Sequence, residues 1–189
     1  MQKTILLILT VFISTVLYSQ SEENEDFTID ANYFYGSILR HNKDISHLIT
    51  EHPQGFIFSY NNKSFGSKRW QRSYNYPDWG VSFLYHNSNN ETLGNNFGMY
   101  AHLNFYFLKR NLLFRVSEGL VYNTNPFDIE TNFKNNAYGS HLLLGTTFLI
   151  NYSKENIVKN IGLQAGLTFL HFSNANVKAP NTSTNTLAF

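Results

Sequence analysis

His171 and Ser173 are the residues of this chain whose types and spacing best fit nucleophilic catalysis. Residues i and i+2 of a β-strand point to the same side, about 7 Å apart at Cα, so an imidazole nitrogen can reach the hydroxyl. A serine activated in this way attacks a carbonyl carbon while the histidine accepts and later returns the proton. The spacing is that of a nucleophile and its base. The alternative is a strand end where polar residues return at the level of the lipid headgroups, and spacing alone does not decide between the two.

The face that carries the pair is otherwise apolar, because Leu163, Ala165, Leu167 and Phe169 share its parity. Polar side chains on a lipid-facing surface are costly. If this face meets lipid, His171 and Ser173 therefore require a functional explanation.

The elements that position the pair are predicted to be β-strands. From residue 30 onward the apolar residues recur with a period of two, and Asn, Gly, Ser and Lys clusters separate the segments. We expect eight strands: clear ones at 97–107, 112–122, 142–151 and 161–174, weaker ones at 31–41, 55–62 and 78–87, and a final one from 184.

Strand length and the inner residues favour a membrane barrel over a secreted soluble β-protein. Several segments reach about 11 residues, the length that a tilted strand needs to cross a bilayer. His102, Asn104, Arg115 and Gln164 fall on the inner parity. We expect them to hydrogen-bond to one another in a narrow lumen. The predicted fold is an all-β, eight-stranded antiparallel outer-membrane β-barrel over residues 30–189.

Residues 1–19 read as a signal peptide: Lys3 precedes an apolar run and a small residue, Ser19, before the expected cut. Residues 20–29 form an acidic lead-in. With both termini in the periplasm, four connections face outward, namely residues 42–54, 88–96, 123–138 and 175–183. We therefore expect the protein in the bacterial outer membrane, among its lipids.

Composition excludes several classes of function. Lys+Arg 14 against Asp+Glu 13, with no basic block, argues against a nucleic-acid partner. Cys is absent, which excludes thiol catalysis and cysteine metal sites. The spacing of His41, His47 and His52 does not bring them together, so we expect no metal and no cofactor. The sequence assigns no oligomeric state.

The segment His171-Phe172-Ser173-Asn174-Ala175, followed by Pro180-Asn181, resembles the C-terminal signature of the outer-membrane lipid A 3-O-deacylase family (PagL-type), also described as acyloxyacyl hydrolases. The resemblance extends loosely over the eight-strand layout. It implies an esterase on the outer wall of a small barrel. Its substrate would be lipid A of lipopolysaccharide, from which it removes the 3-O-linked hydroxyacyl chain.

The resemblance assigns roles to residues at matching positions. Ser173 would be the nucleophile and His171 the general base. Asn181 looks like the oxyanion-stabilising amide, and Asn174 a second polar contributor to substrate binding. A resident acyl chain would then lie in a groove along Leu167 and Phe169.

The acid position departs from the family pattern, since Asn185 stands where the family has Glu about 14 residues after the His. The amide oxygen of Asn185 can still accept the imidazole N–H and fix its tautomer, but it supplies no charge. Glu118 also interrupts an apolar parity, on a strand two away in sequence order, and is the less favoured acid. Asn176 stands where the family usually has Gly.

The last strand is short, because Thr184–Phe189 supplies six residues where about 9 to 11 are needed. We expect it to close the barrel poorly and the chain to be truncated. Two other functions stay open: a structural or adhesive barrel with a degenerate site, and a phospholipase or acyltransferase acting on a different lipid.

Overall fold

The protein is an eight-stranded antiparallel β-barrel in a computed structural model that describes residues 27–189. Each strand pairs with its neighbours in sequence, and the last pairs with the first. The strands are β1 Phe27–Ile38, β2 Gln54–Asn62, β3 Asp78–Asn87, β4 Asn95–Phe107, β5 Leu112–Asn123, β6 Leu142–Val158, β7 Ile161–Ser173 and β8 Thr184–Ala188. The predicted all-β barrel architecture is confirmed.

The expected signal peptide and residues 20–26 of the acidic lead-in lie outside the described residues. Strand β1 begins at Phe27, so residues 27–29, which we expected in the lead-in, pair with residues 60–62 of β2. Two short helices occur in connections, a 3-10 helix Lys43–Leu48 and α1 Arg69–Ser73. Among residues 27–189, neither is long and apolar enough to traverse a bilayer.

Side chains alternate between the lumen and the outer wall. Along β4 the even positions from Asn96 to Tyr106 are buried and the odd positions are mostly exposed. The exposed set includes Phe97, Met99 and Leu103, while His102 and Asn104 point inward. An apolar outside around a polar inside is the distribution that a barrel surrounded by lipid requires.

The centre of the lumen is organised around Arg115, which is 2% exposed. Its Nη2 lies 2.7 Å from Asp30 Oδ2, its Nε donates to Asn104 Oδ1 at 2.7 Å and its Nη1 to Ser59 Oγ at 2.6 Å. Nη2 also donates to Asn61 Oδ1 at 2.9 Å. A buried guanidinium is tolerated when its donors are paired in this way.

Two further predicted inward residues, His102 and Gln164, also make hydrogen bonds in the lumen. His102 Nε2 lies 2.9 Å from Asn61 Oδ1, which joins it to the Arg115 network. Gln164 Nε2 donates to Asn32 Oδ1 at 2.9 Å, linking β7 to β1 across the lumen. The expected hydrogen bonding is therefore confirmed for Asn104, Arg115 and His102, which meet directly or at Asn61, whereas Gln164 bonds to Asn32 instead.

Strand β8 has five residues and completes the ring at one end of the barrel. It pairs with Thr168–Phe172 of β7 and with Gly36–Ile38 of β1. Reciprocal backbone hydrogen bonds between Tyr35 and Phe189, both 3.1 Å, extend the β1 pairing. A short final strand therefore still closes this barrel, and it does so beside the candidate catalytic residues.

The end of the barrel near β8 carries the connections 39–53, 88–94, 124–141 and 174–183, and is called the long-loop end below. Apolar side chains from these connections pack into one cluster with inward residues of the strands. The connections contribute Ile45, Leu48, Leu93, Ala137 and Tyr138, and the strands contribute Phe34, Ile38, Leu84, Leu143, Leu170 and Phe172. The loops thus form a packed cap that fixes the residues next to the site.

Candidate active site

His171 and Asn185 are direct cross-strand partners on β7 and β8. His171 Nδ1 lies 2.6 Å from Asn185 Oδ1. The amide oxygen is an acceptor, so this contact places the imidazole proton on Nδ1 and leaves a lone pair on Nε2. The contact predicted for Asn185 is therefore present, and the tautomer is the one that a general base needs.

Ser173 lies on the same outward face of β7 as His171, two residues nearer the long-loop end. Its hydroxyl donates to Asn181 Oδ1 at 3.1 Å, and the backbone N–H of Asn174 donates to the same oxygen at 3.0 Å. Asn181 thus turns its oxygen toward Ser173 and orients the hydroxyl. The expected oxyanion role needs its Nδ2 instead and stays a prediction.

Asn174 is buried, and its side chain shapes the connection after β7. Its Nδ2 donates to the carbonyl of Lys178, and its Oδ1 accepts from the backbone N–H of Asn176 at 3.1 Å. Asn176 adopts a φ of 61°, a conformation that Asn tolerates better than most residues, so the turn is kept without the family's Gly. Asn174 holds the loop, and its contribution to substrate binding stays a prediction.

The loop 174–183 is fastened to the connection between β5 and β6. The backbone N–H of Thr182 donates to Asn136 O at 3.1 Å, and that of Ser183 donates to Ala137 O at 3.2 Å. At Gly139 a Cβ would overlap the carbonyl oxygens of Lys178 and Pro180, so only glycine permits this approach. These supports were not predicted, since no motif or spacing in the sequence marks them.

Tyr138 contacts the start of β8 from the cap at the long-loop end. Its ring is buried in the cap, and its hydroxyl contacts Thr184 Oγ1, the residue before Asn185. Burial raises the pKa of the Tyr138 phenol to about 12. Tyr138 therefore helps to set the position of Asn185 through its neighbour.

The predicted acyl-chain residues lie on the outer wall below the His–Ser pair. Leu167 is 53% exposed, and the ring of Phe169 lies 6.3 Å from that of Phe148 on β6. Both point outward, on the same face as His171. The wall beside the pair is thus an apolar surface on which a hydrocarbon chain can lie.

Glu118 also lies on the outer wall, two strands from His171. Its Cα partner on β6 is Thr146, and the partner of Thr146 on β7 is His171. Thr146 Oγ1 donates to Glu118 Oε1 at 2.7 Å. Asn185 rather than Glu118 contacts the imidazole. Thr146 is not among the predicted site residues, although its polar side chain interrupts an apolar face of β6.

Other candidate groups lie elsewhere. His41, His47 and His52 each have a ring nitrogen near a different backbone carbonyl, those of Thr182, Lys134 and Gly36. Within residues 27–189 no three His, Cys, Asp or Glu side chains form a group suited to a metal. A cavity of about 450 Å³, lined by residues 63–65, 75, 76, 78, 109 and 110, lies at the opposite end of the barrel from Ser173.

The fold and the site together define a small β-barrel with Ser, His and Asn side chains grouped on its outer wall. The chain belongs to the PagL family: the family model described as "Lipid A 3-O-deacylase (PagL)" matches residues 54–189. Membership implies lipid A 3-O-deacylase activity in general, in a family of outer-membrane enzymes. Comparisons with curated proteins and with solved structures find no match.

Proposed function

We propose that the protein is an outer-membrane serine esterase that removes the 3-O-linked hydroxyacyl chain from lipid A in the outer leaflet. The observation that carries this proposal is the contact between His171 Nδ1 and Asn185 Oδ1, with Ser173 beside it on the outer wall. It gives a family member an imidazole in the tautomer needed for acyl transfer.

The reaction begins when the Ser173 hydroxyl turns from Asn181 to His171. Nε2 takes the hydroxyl proton as Oγ attacks the ester carbonyl carbon, which gives a tetrahedral intermediate. The bond to the sugar oxygen then breaks, and that oxygen receives the proton from His171. Water attacks the acyl-serine in the second half, releasing the hydroxy fatty acid and restoring Ser173. The hydroxyl points to Asn181 in the free protein, and catalytic side-chain contacts often tighten only on substrate binding.

Asn185 orients the imidazole without stabilising its charged form as a carboxylate would. A neutral amide keeps the proton on Nδ1 and the lone pair on Nε2 directed toward Ser173. Turnover is then slower than with a carboxylate at position 185, because the imidazolium formed during attack has only a dipole beside it.

The substrate reaches the site without leaving the membrane. With the long-loop end facing outward, His171 and Ser173 lie near the outer surface, and Leu167 and Phe169 lie deeper along the same strand. An acyl chain in the outer leaflet can pack on these two residues while its ester meets Ser173. The apolar wall then acts as the acyl-chain site.

Mass spectrometry of purified lipid A tests the proposal. Lipid A incubated with the full-length protein in detergent micelles should lose the mass of one hydroxyacyl chain, and a free hydroxy fatty acid should appear. Lipid A prepared without the 3-O-linked chain is the matched control and should keep its mass. Intact lipid A with folded protein would favour a structural barrel, and release of a chain from phospholipid alone would favour a phospholipase.

Localisation is tested by fractionation of the cells that make the protein. It should sediment with outer membranes and migrate differently on gels with and without boiling, as barrels do. Recovery from the periplasm without detergent would contradict the membrane assignment.

A further inference from the structure

Four polar side chains form a single row across four adjacent strands of the outer wall. Glu118, Thr146, His171 and Asn185 are consecutive Cα partners from β5 to β8. Two members, His171 and Asn185, belong to the proposed catalytic group. The other two, Glu118 and Thr146, have no part in the mechanism above.

Apolar residues border the Glu118 end of this row on both sides. Toward the long-loop end lie Leu120 and Leu144, which are partners of each other and are 57% and 48% exposed. Toward the opposite end lie Val116 and Phe148, also partners of each other. Glu118 therefore lies within the apolar part of the wall and not at a strand end where polar residues return. A carboxylate in such surroundings requires hydrogen-bond donors.

Thr146 supplies one such donor, at 2.7 Å from Glu118 Oε1. A carboxylate has about four acceptor positions, and the Glu118 side chain is exposed on the outer wall. On its other side, the β4 partner is Ala101, a methyl group between the larger Met99 and Leu103. The small side chain of Ala101 leaves a depression in the wall beside Glu118, with space for part of a bound molecule.

We propose that Glu118 and Thr146 form a subsite that accepts a hydrogen bond from a hydroxyl or amide N–H of the sugar portion of lipid A. Adjacent strands are about 4.8 Å apart, so this subsite lies about 10 Å from the His171 strand position, a span comparable to a sugar ring with its amide substituent. The inference rests on the proposed function and assigns it a recognition element.

The charge of Glu118 should also determine the orientation in which lipid A binds. A carboxylate attracts hydroxyl and amide donors and repels phosphate groups, most strongly where lipid lowers the local dielectric constant. The phosphates of lipid A should therefore point away from β5, which leaves the sugar hydroxyls and amides to face Glu118. The subsite would select how lipid A lies on the wall before Ser173 attacks.

The test compares two esters in the purified full-length protein. One is lipid A in mixed micelles, and the other is a p-nitrophenyl ester of a hydroxy fatty acid, which has no sugar. Glu118→Leu, an apolar side chain suited to this wall, should lower kcat/KM for lipid A at least about tenfold more than for the sugar-free ester, mainly through KM. Thr146→Val should change the same ratio in the same direction by a smaller factor.

Gln54→Leu is the matched control. Gln54 is an outward polar residue of β2 that accepts a hydrogen bond from the Tyr33 hydroxyl at 2.8 Å, and it lies three strands from β7. It should leave the ratio at the wild-type value, with all variants migrating as folded barrels before boiling.

Three outcomes would overturn the subsite: equal losses on both esters in Glu118→Leu, no loss on either ester, or the same change of ratio in Gln54→Leu. If the wild-type protein hydrolyses no lipid A, the proposed function fails, and the subsite is judged by binding alone. Lipid A should then bind more weakly to Ser173→Ala/Glu118→Leu than to Ser173→Ala, and equal dissociation constants would reject the subsite.

Discussion

The lumen and the outer wall of this barrel use polar side chains in opposite ways. In the lumen, Arg115 contacts Asp30, Ser59, Asn61 and Asn104, and the guanidinium is almost fully buried. On the wall, His171 and Ser173 are only partly buried, and their side chains contact those of Asn185 and Asn181. The polar groups around Arg115 pair with one another, whereas the wall leaves acceptor and donor positions open to another molecule. Stability and chemistry are therefore expected to respond to different substitutions.

The largest expected effect is a loss of activity without a loss of stability, caused by substitutions at Ser173 and His171 on the outer wall. Ser173→Ala removes the nucleophile, so deacylation should fall by at least about 10⁴-fold while resistance to urea stays at the wild-type level. His171→Ala should cost about the same, and the double variant no more than either single one, because the two residues act as one unit. The rate of fatty acid release from lipid A measures this. Substantial activity in Ser173→Ala would exclude the acyl-serine.

The converse effect is expected in the lumen. Arg115→Met leaves the Asp30 carboxylate without its ion pair, which should lower the free energy of unfolding by about 3–5 kcal/mol. Activity per folded molecule should remain within about twofold, since Arg115 lies inside the wall that holds the site. Urea titration followed by the boiling-dependent gel shift measures the folded fraction.

Arg115→Met/Asp30→Asn provides the control for this variant, because it removes both charges of the pair. It should regain part of the lost stability, since an unpaired buried charge is the main cost. If the single variant were as stable as wild type, the lumen network would not support the fold.

Substitutions of Asn185 test whether a negative charge beside His171 raises the catalytic rate. Asn185→Glu places a carboxylate beside His171, which should raise kcat about tenfold to hundredfold because charged hydrogen bonds stabilise the imidazolium more than neutral ones. Asn185→Gln, with the same added length and no charge, is the matched control and should gain nothing. Asn185→Ala should lower kcat. Equal rates for all four proteins would remove Asn185 from the mechanism.

The smallest expected effect concerns the cap above β8. The pKa of Tyr138 is raised to about 12 in the folded protein, against about 10 in an unfolded chain, so the folded state keeps its proton longer. Stability should therefore fall as pH rises from 10 to 12, by about 1 kcal/mol at pH 11. Tyr138→Phe should lose about this much less stability than the wild-type protein between pH 8 and pH 11. Urea midpoints at pH 8 and pH 11 measure the difference.

The strands and the shared face of His171 and Ser173 could be predicted from the sequence because both depend on residue parity. Period-two patterns identify the inward and outward faces of β4 to β7, and parity places His171 and Ser173 together on one face. A resemblance to a family motif then supplied Asn181 and Asn185.

Features that depend on register or on loop packing could not be predicted in this way. The row that joins Glu118 to His171 requires the registers of two strand pairs, which no local pattern encodes. The contacts of Asn136 with Thr182 join loops 46 residues apart. Asn181 pointing its oxygen at Ser173 is a side-chain orientation, which spacing alone does not fix.

The filled lumen also prevents the barrel from conducting water and ions. Arg115 and its partners occupy the centre of the barrel, and the cap residues cover the long-loop end. A continuous column of water and ions is thereby interrupted by fixed side chains, so the barrel should show no stepwise current in a planar bilayer. The reaction proposed for Ser173 would then take place on the outer wall without making the membrane leaky.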